Sequence, residues 1–523
     1  MRPIATDTAD FPKLREKGCI YVDKTMFMHR MASDVGTNLF FISRPRRFGK
    51  SLTLSALKAL FSGRRELFEG LCIDKTDWKW DKYPIIHFEF NDVTTTSLAD
   101  FETSFALHVQ ERLEAAGFAY DRSLPPPENF GRAITSLSAA NGGKGVVILI
   151  DEYDAPVGHA LGDVDMAEAI RDRMSALYSR MKNRTGDIRF LLMTGISKFT
   201  RLSVFSALSN LVDVSLRGEY ATMFGYTEEE LSANYEEHLR AHAVKMGKTY
   251  EDYRAEMKRW YNGFRFSTED ATTVYNPVSV ALTLDAKESD FKATWATTGR
   301  PSMLMNYLKR EDVLRIDPEA TQNVTANAFD VAELRNLKPI PMLYQSGYLT
   351  IRNYNAGLFT LGVPDEEVRQ DLCLLMAGVA ADKDTYWASE MAGWLLGAQW
   401  DDFFEGLQSL YAAMAYGPTE RRVHENSYGR CLSFLLASCG FEFTMENVQS
   451  NGRADVVAKH PAIVCIFELK VDEPIDRAFA QMRERGYAEP FRADSRPVWL
   501  VGLSFDAKTR HLVDFAAERA FAG

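Results

Sequence analysis

Residues 41–54, FISRPRRFGKSLTL, constrain the fold of this chain more than any other segment. An apolar run ends at Ile42, a loop rich in arginine follows, and apolar residues then recur at helical spacing from Leu52 to Phe61. The loop ends in Gly-Lys-Ser, as the phosphate-binding pattern G-x-x-x-x-G-K-[ST] does, but Arg44 occupies the place of the first glycine. Because strand, loop and helix in this order are the context of such a loop, the segment predicts phosphate binding.

The predicted loop would bind phosphate mainly through backbone N–H groups and the N-terminus of the following helix. Lys50 would reach the β- and γ-phosphates, and the Ser51 hydroxyl would bind Mg²⁺. Pro45, whose φ is fixed at about −65°, could enforce the turn that the missing glycine usually permits. A basic surface turn is the alternative interpretation of this segment alone. The predicted nucleotide-binding residues of the loop are Arg47, Phe48, Gly49, Lys50, Ser51 and Leu52.

A second segment, VVILIDE (residues 146–152), supports a nucleotide site. Asp151 would hold the water shell of Mg²⁺, and Glu152 would polarise the attacking water. Another apolar strand follows, and its end, from Thr194 to Ser197, is expected to sense the γ-phosphate. Together with YPIIHFEF and the helical patterns between these segments, they predict a mainly parallel α/β sheet over about 200 residues.

Two arginines are candidates for contact with a γ-phosphate. Arg201 follows the predicted sensor strand, and Arg265 lies in YNGFRFS. For each of them, a salt bridge or an exposed side chain is the alternative.

Six segments, YVDKT, RPRRFGKS, YPIIHFEF, DEYDAP, TGISKF and LSNLVDVSL, resemble the AAA-ATPase-like family of bacterial proteins. That family is similar to the archaeal-ATPase and STAND branches of the P-loop NTPases. Its loop commonly reads RPRRFGKS, so the resemblance implies that Arg44 is the family's form of the loop. The resemblance extends over essentially the whole chain, including YNGFRFS and LYQSGYLTI, and it implies ATP and Mg²⁺ as cofactors.

Residues 451–472, NGRADVVAKHPAIVCIFELKVD, carry a second group of candidate residues. ADVVA and AIVCIFELK predict two strands of a hairpin, with Asp455 on the first, while Glu468 and Lys470 share one face of the second. Two carboxylates and a lysine near one point make a Mg²⁺ site, at which Lys470 would orient the nucleophile. The form GRAD…ELK resembles the PD-(D/E)XK nuclease superfamily. For an isolated E-x-K, a solvated strand edge is the alternative.

The nuclease resemblance implies three further residues. Glu425, in HENSYGRCLSFLL, lies on a predicted helix where that superfamily often has another acidic ligand. Gln481 and Tyr487, in QMRERGY, are expected on the helix after the hairpin, although their spacing departs from Q-x-x-x-Y. The candidate metal ligands are Ser51, Asp151, Glu425, Asp455 and Glu468. The candidate catalytic residues are Lys50, Glu152, Asp455, Glu468 and Lys470.

The chain is expected to form several domains of an α/β protein, because 523 residues exceed what one core organises. We expect an AAA-ATPase-like P-loop domain at 1–225 and a helical lid with a winged-helix-like region at 226–370. A helical connector at 371–420 and a restriction-endonuclease-like α/β domain of the PD-(D/E)XK type at 421–523 follow. Within 338–370, a helix capped by a structural hairpin is the alternative to a winged helix.

The composition of the chain indicates in which cellular compartment it works and which partners it is expected to lack. No run approaches 18 apolar residues, and the N-terminus lacks the apolar stretch of a signal peptide. The six cysteines are scattered without C-x-x-C spacing, which predicts buried, reduced thiols. We therefore expect a cytoplasmic protein without a membrane partner. The net charge of −11 argues against general attraction of the whole surface to nucleic acid but not against a local basic groove.

The leading functional hypothesis is an ATP-binding and ATP-hydrolysing protein that is also an ATP-regulated, Mg²⁺-dependent nuclease acting on DNA. RNA is the alternative substrate, and the sequence leaves the oligomeric state open. One alternative function is a STAND-like nucleotide switch whose nuclease-like domain binds without cutting. Another is a DNA-binding regulator acting through residues 338–370, where Lys338 is the one basic residue of LKPIPMLYQSG. The presence of Asp455, Glu468 and Lys470 favours the nuclease.

Overall fold

The computed structural model describes residues 1–6, 9–197, 208, 210–285, 291–295, 304, 322–325, 334–381, 385–415, 425–449, 452–509 and 511–521. These residues form two compact units. The first comprises Met1–Tyr307 and Glu319–Glu366, and the second contains Glu367–Gly523.

The first unit contains a five-stranded parallel sheet, as the sequence predicts. Its central strands are apolar runs buried on both faces, which is typical of parallel sheets covered by helices. The sheet order is β2-β3-β4-β1-β5, and every neighbouring pair is parallel. The carboxyl ends of the strands therefore meet along one edge. The strands are β1 (Leu39–Ser43), β2 (Ile85–Glu89), β3 (Val146–Asp151), β4 (Ile188–Gly195) and β5 (Val212–Asp213).

Helices connect and flank these strands. Several begin at a side chain that caps the first turn, as Ser97 and Asp163 do, so the chain fixes their starts locally. The helices are Phe11–Glu16, Thr25–Ala32, Lys50–Phe61, Leu98–Ala115, Pro126–Ala140, Ala155–His159 and Val164–Ser179.

The remainder of the first unit is mostly helical, with two small sheets. Thr227 and Glu230 form a capping box at the start of one helix. A strand pair, β6 (Asn262–Arg265) and β7 (Thr273–Tyr275), is antiparallel. The helices described here are Glu228–Lys245, Tyr250–Tyr261, Pro277–Asp285 and Pro339–Ser346.

The helix, strand, turn and strand expected within residues 338–370 are present. The helix Pro339–Ser346 ends at Gly347, whose φ of 90° is a left-handed conformation that favours glycine. After β8 (Gln322–Thr325), the strands β9 (Thr350–Asn355) and β10 (Leu358–Gly362) form an antiparallel hairpin. β8 pairs with β10, so the hairpin belongs to a three-stranded sheet.

The second unit is a mixed five-stranded sheet in the order β11-β12-β13-β14-β15. The expected hairpin is present as the antiparallel pair β12–β13, whereas β13 and β14 are parallel. The strands are β11 (Glu442–Gln449), β12 (Gly452–His460), β13 (Ile463–Val471), β14 (Val498–Phe505) and β15 (Leu512–Arg519).

Helices cover the faces of this sheet. One core joins Leu395, Phe403 and Leu407 to sheet residues such as Phe467 and Val501. The helices of the expected connector thus share a core with the nuclease-like sheet. The opposite core contains Phe479 and Met482 of another helix. The helices are Glu366–Ala381, Thr385–Leu396, Trp400–Ala415, Glu425–Ser438 and Ile475–Glu484.

The structure bears on two expectations drawn from composition, the absence of a membrane-spanning helix and the state of the cysteines. None of the helices within the described ranges combines the length and apolar character needed to cross a bilayer. All six cysteines are free thiols. Four of them are buried, whereas Cys72 is exposed and Cys439 is only partly buried, so the expectation of buried thiols was wrong for Cys72 and holds only in part for Cys439. Cys72 begins a short surface turn rather than a core strand.

Candidate functional site

The phosphate loop (residues 44–49) joins β1 to the helix Lys50–Phe61 at the carboxyl edge of the parallel sheet. Gly49 immediately precedes the helix with φ 91°, a conformation that glycine adopts without steric cost. Arg47 has φ 70°, which is uncommon for a residue with a side chain. The loop therefore turns sharply without its first glycine, and it leads directly into a helix N-terminus, where anions bind favourably.

Lys50 is buried within this loop. Its Nζ donates hydrogen bonds of 2.9 Å to the carbonyl oxygens of Arg44 and Pro45. Burial lowers the pKa of Lys50, while the nearby carboxylates of Glu152 and Asp151 oppose that effect. The ammonium group thus lies between the loop backbone and the acidic end of β3.

Three of the predicted residues meet at one carboxylate. The Ser51 hydroxyl donates to Oδ2 of Asp151 at 2.6 Å, and the Thr194 hydroxyl donates to Oδ1 at 2.6 Å. These side chains come from the helix after the loop, the end of β3 and the end of β4. A serine hydroxyl beside a buried carboxylate fits the donor set that holds Mg²⁺ next to a nucleotide in P-loop proteins.

Glu152 follows Asp151 with φ 48°, so its backbone bends away from the strand at that point. Burial raises the pKa of its carboxyl group, and the charge of Lys50 opposes this rise. Its Oε2 is buried and has no hydrogen-bond partner within the described structure. An unsatisfied acceptor of raised basicity, at the edge of the loop, is suited to receive a proton from water.

A cavity of about 490 Å³ opens next to these groups. The phosphate loop, Lys50, Ser51 and Glu152 line one part of it. The sequence analysis did not find the residues of the other part, although YVDKT was among the segments that carry the resemblance. These residues are mainly apolar and aromatic: Ile20, Tyr21, Val22, Met223, Tyr226, Tyr235, Pro277, Val278 and Ala281.

Arg44 is packed behind the loop. It is 2% exposed, and it donates to the carbonyl oxygens of Ser215 at 2.7 Å and Tyr220 at 3.3 Å. The guanidinium carbon lies 4.3 Å from the ring centroid of Phe266, and burial lowers the Arg44 pKa to about 10. Arg44 thus connects the end of β1 to two other segments.

Two other loop residues, Phe48 and Pro45, pack against YNGFRFS and LYQSGYLTI, for which the sequence analysis predicted no contact with the loop. The centroid of the Phe48 ring lies 4.7 Å from that of Phe264 and 5.1 Å from that of Phe266, and both of these residues belong to YNGFRFS. A Cβ atom on Gly347 of LYQSGYLTI would lie only 2.6 Å from the Cβ of Pro45. Residues of both motifs therefore pack directly against the phosphate loop.

The two arginines proposed for the γ-phosphate have different outcomes. Arg265 donates from Nε to the carbonyl oxygens of Ser267 and Asp270, at 2.9 Å each. Its guanidinium group holds its own turn together. Arg201 lies outside the described residues.

The second unit brings Asp455, Glu468 and Lys470 together. Asp455 accepts a hydrogen bond of 2.7 Å from the Leu469 backbone N–H, and Glu468 accepts one of 2.6 Å from the Lys470 ammonium. Glu468 is 1% exposed, and its Oε2 has no hydrogen-bond partner in the described structure. Burial, followed by the charge of Asp455, raises the pKa of Glu468 to about 7.

Gln481 and Tyr487 extend this group despite their unusual spacing. Lys470 Nζ donates to Gln481 Oε1 at 3.0 Å, and Gln481 Nε2 donates to the Tyr487 hydroxyl at 3.2 Å. The expectation that both lie on one helix was wrong for Tyr487. The helix ends at Glu484, and the chain turns at Gly486, which has φ 64°, before Tyr487 folds back.

The two carboxylates fit a divalent cation, because Glu468 presents a buried, unsatisfied oxygen next to the charge of Asp455. No group of three or more Asp, Glu, His or Cys side chains suited to a metal occurs in the part of the chain that the structure describes. Glu425 begins the helix Glu425–Ser438, but its side chain lies outside the described structure. The role of Glu425 as a ligand therefore stays a prediction.

The architecture defines a P-loop-like α/β unit joined to a unit with a nuclease-like mixed sheet. Residues 3–205 match the family described as "Predicted AAA-ATPase", and residues 423–515 match the PD-(D/E)XK nuclease superfamily. A protein of Azotobacter chroococcum mcd 1, described as "Uncharacterized protein in vnfD 5'region", is 32% identical over 99% of this chain and 98% of its own length. The chain belongs to this AAA-ATPase-like family and carries a C-terminal PD-(D/E)XK domain, which confirms both resemblances. No solved structure matches it.

Proposed function

We propose that this protein binds and hydrolyses ATP in its first unit and cuts DNA in its second, with the nucleotide state regulating cleavage. The observation that carries the ATPase proposal is the meeting of Ser51, Asp151 and Thr194 beside the 490 Å³ cavity. Three separate elements supply these groups, and a chance basic turn would not require their convergence.

This geometry supports the following proposed roles in the first unit. Backbone N–H groups of residues 47–52 and the Lys50 ammonium would bind the phosphates. Ser51 and Asp151 would hold Mg²⁺, which offsets phosphate charge when bound. Glu152 would accept the proton of the attacking water, and Thr194 would orient Asp151. The apolar part of the cavity would enclose the base.

The roles in the second unit follow the same reasoning. Asp455 and Glu468 would hold a divalent cation, which would bind the scissile phosphate and its water. Lys470 would orient the attacking water, and Gln481 would hold Lys470 in place through their 3.0 Å hydrogen bond. DNA is the proposed substrate and the cytoplasm the proposed location.

A nucleotide switch that does not cut is the second candidate. The specific observation favouring it is the packing of Phe48 and Pro45 against YNGFRFS and LYQSGYLTI. A loop supported in this way can transmit a nucleotide-dependent movement to the helical part of its own unit, with no need for cleavage.

The deciding experiment has two arms. Purified full-length protein is titrated with ATP, and it is incubated with labelled single- and double-stranded DNA and RNA, with Mg²⁺ or Mn²⁺, with and without ATP. ATP binding with metal-dependent DNA cleavage supports the first function. If the wild-type protein binds ATP but cuts no substrate with either Mg²⁺ or Mn²⁺, the result favours the nucleotide switch. Absence of ATP binding contradicts both functions.

A further inference from the structure

One stretch of backbone borders the 490 Å³ cavity at Ile20, Tyr21 and Val22. Its side chains alternate between two sides. Ile20 and Val22 belong to one hydrophobic core, together with residues of the helix Glu228–Lys245. The Tyr21 ring instead packs on Phe11, with 5.1 Å between the ring centroids. This alternation is typical of extended backbone, in which the N–H and C=O groups of every second residue point to the same edge.

The backbone of Val22 has polar groups without a partner on one of these edges. On that edge, the N–H of Ile20 donates a hydrogen bond of 3.0 Å to the Pro3 carbonyl oxygen, and the chain after Pro3 goes on to line the cavity with Ala5 and Thr6. Val22 is 4% exposed, and no hydrogen bond joins its N–H or C=O to another group in the described ranges. Because buried backbone polar groups are almost always paired, this N–H and C=O beside a cavity are suited to bind a ligand.

We propose that the N–H and C=O of Val22 recognise the base of the bound nucleotide, and that this base is adenine. The inference rests on the ATP binding proposed above, and it assigns the groups that select ATP among the nucleoside triphosphates. Three polar side chains on this part of the wall already have partners. The Lys24 ammonium bonds to Glu230 at 2.6 Å, and the hydroxyls of Tyr226 and Tyr235 lie 3.4 Å apart, within hydrogen-bond distance.

The chemistry of the base matches the backbone of one extended residue. Adenine presents the acceptor N1 beside its 6-amino donor, so the Val22 N–H would donate to N1 and the Val22 C=O would accept from the amino group. Guanine has N1–H and O6 in the same two places, so donor would face donor and acceptor would face acceptor. A buried site with two such mismatches rejects the wrong base strongly. The apolar side chains of Met223, Pro277 and Val278 would pack against the ring and hold it in this orientation.

The first test changes single atoms of the nucleotide and uses full-length wild-type protein. ATP, GTP, 1-deaza-ATP and purine riboside triphosphate, which lacks the 6-amino group, are titrated in turn. We expect GTP to bind at least about 100-fold more weakly than ATP, and each of the other two at least about tenfold more weakly. The matched control is 7-deaza-ATP, which alters the ring away from this edge and should bind within about threefold of ATP. Equal binding of ATP and purine riboside triphosphate, or an equal loss with 7-deaza-ATP and 1-deaza-ATP, would overturn the inference.

The second test removes the donor from the protein. Val22→Pro has no N–H at this position, so it should bind ATP and 1-deaza-ATP equally, whereas Val22→Ala keeps the N–H and should keep the wild-type ratio of the two affinities. A wild-type ratio in Val22→Pro would assign the recognition to another group and overturn the inference. If thermal unfolding shows that Val22→Pro does not fold, the nucleotide series on the wild type decides alone. A wild type that binds no nucleotide overturns this inference and the ATPase proposal together, whereas ATP binding without preference for adenine overturns the inference alone.

Discussion

Arg44 stands in the position of a glycine, yet its side chain is built into the fold behind the loop. Replacing it with glycine restores the pattern G-x-x-x-x-G-K-S but removes a buried guanidinium group with its hydrogen bonds and its contact with Phe266. We expect Arg44→Gly to destabilise the first unit by about 3–5 kcal/mol and to leave ATP affinity no higher. Thermal unfolding and ATP titration measure the two effects. Arg64→Gly, at a partly exposed arginine, serves as the control, and unchanged stability in Arg44→Gly would refute the structural role.

Glu152 is expected to act in turnover rather than in binding. Because its unsatisfied Oε2 accepts the proton of water in our proposal, Glu152→Gln should bind ATP normally and lose at least about 100-fold in kcat. Glu89→Gln is the matched control and should change neither ATP binding nor kcat. Glu89 lies on β2, opposite Asp151 in the register of the parallel β2–β3 pair, and it is not assigned to catalysis. Hydrolysis at the wild-type rate in Glu152→Gln would mean that another group activates the water.

Glu468 makes metal binding depend on pH. Its pKa is raised from 4.5 to about 7, so between these values the folded, metal-free protein binds more protons than the unfolded chain. This group therefore stabilises the metal-free protein at low pH, and the contribution is lost as pH rises through about 7. Metal requires the carboxylate, so Mn²⁺ should bind more tightly, and raise the unfolding temperature more, at pH 8 than at pH 5.5.

The comparison needs a variant in which Glu468 no longer titrates. Glu468→Gln should abolish the stabilisation by Mn²⁺ at both pH values, and EDTA should reverse it in the wild type. Equal stabilisation of the wild type at pH 5.5 and pH 8 would contradict the prediction.

At the scale of elements, Lys24 joins the segment before β1 to the helix Glu228–Lys245. Its buried ammonium donates to the Glu230 carboxylate at 2.6 Å and to the Thr222 carbonyl oxygen at 2.7 Å. Lys24 also lines the 490 Å³ cavity beside the phosphate loop. This gives the motif YVDKT a structural role that its sequence alone does not state.

Removing one partner of this ion pair leaves the other without compensation. We expect Lys24→Met to destabilise the first unit by about 2–3 kcal/mol, less than for a fully buried pair because Glu230 retains contact with water. ATP affinity should fall as well. Thermal unfolding and ATP titration check both effects. Glu237→Gln, in an exposed pair with the N-terminus, should change neither value. Equal stability of Lys24→Met and Glu237→Gln would contradict the prediction.

The sequence predicted those helices, strands and turns whose formation depends on short, local patterns. The strand-loop-helix around Lys50, the strand ending at Asp151 and the β12–β13 hairpin all follow from apolar runs and short motifs, and the structure contains each of them. The fold class and the two family resemblances are confirmed. The roles of the site residues stay predictions, since geometry alone does not measure catalysis.

The features that escaped prediction depend on tertiary packing. Tyr21, Tyr226 and Val278 all line one cavity, although more than 200 residues of sequence separate Tyr21 from the other two. Only folding of the unit brings them together. Likewise, the packing of Arg44 on Phe266 joins positions that no periodicity links. Tyr487 reaches Gln481 through a turn at Gly486, which a helical spacing rule does not anticipate.

For the whole molecule, the two sites should be separable in chemistry and coupled in regulation. They lie in different compact units, and each is assembled from residues of its own unit. Asp455→Ala and Lys470→Ala should therefore abolish DNA cleavage while leaving ATP turnover unchanged. Parallel assays of both activities on the same preparations measure this, and loss of ATP turnover in either variant would contradict it.

Coupling is tested from the nucleotide site. Lys50→Ala should weaken ATP binding by about 100-fold or more, because it removes the ammonium group that would bind the phosphates in our proposal. Since Lys50 is also buried against loop carbonyls, Lys50→Met keeps its packing and separates charge from volume. If ATP favours one of two states that differ in nuclease competence, both variants should cut DNA at a rate, or with a substrate choice, that ATP no longer changes. Cleavage by both variants that matches wild type on every substrate, with and without ATP, would refute regulation by ATP.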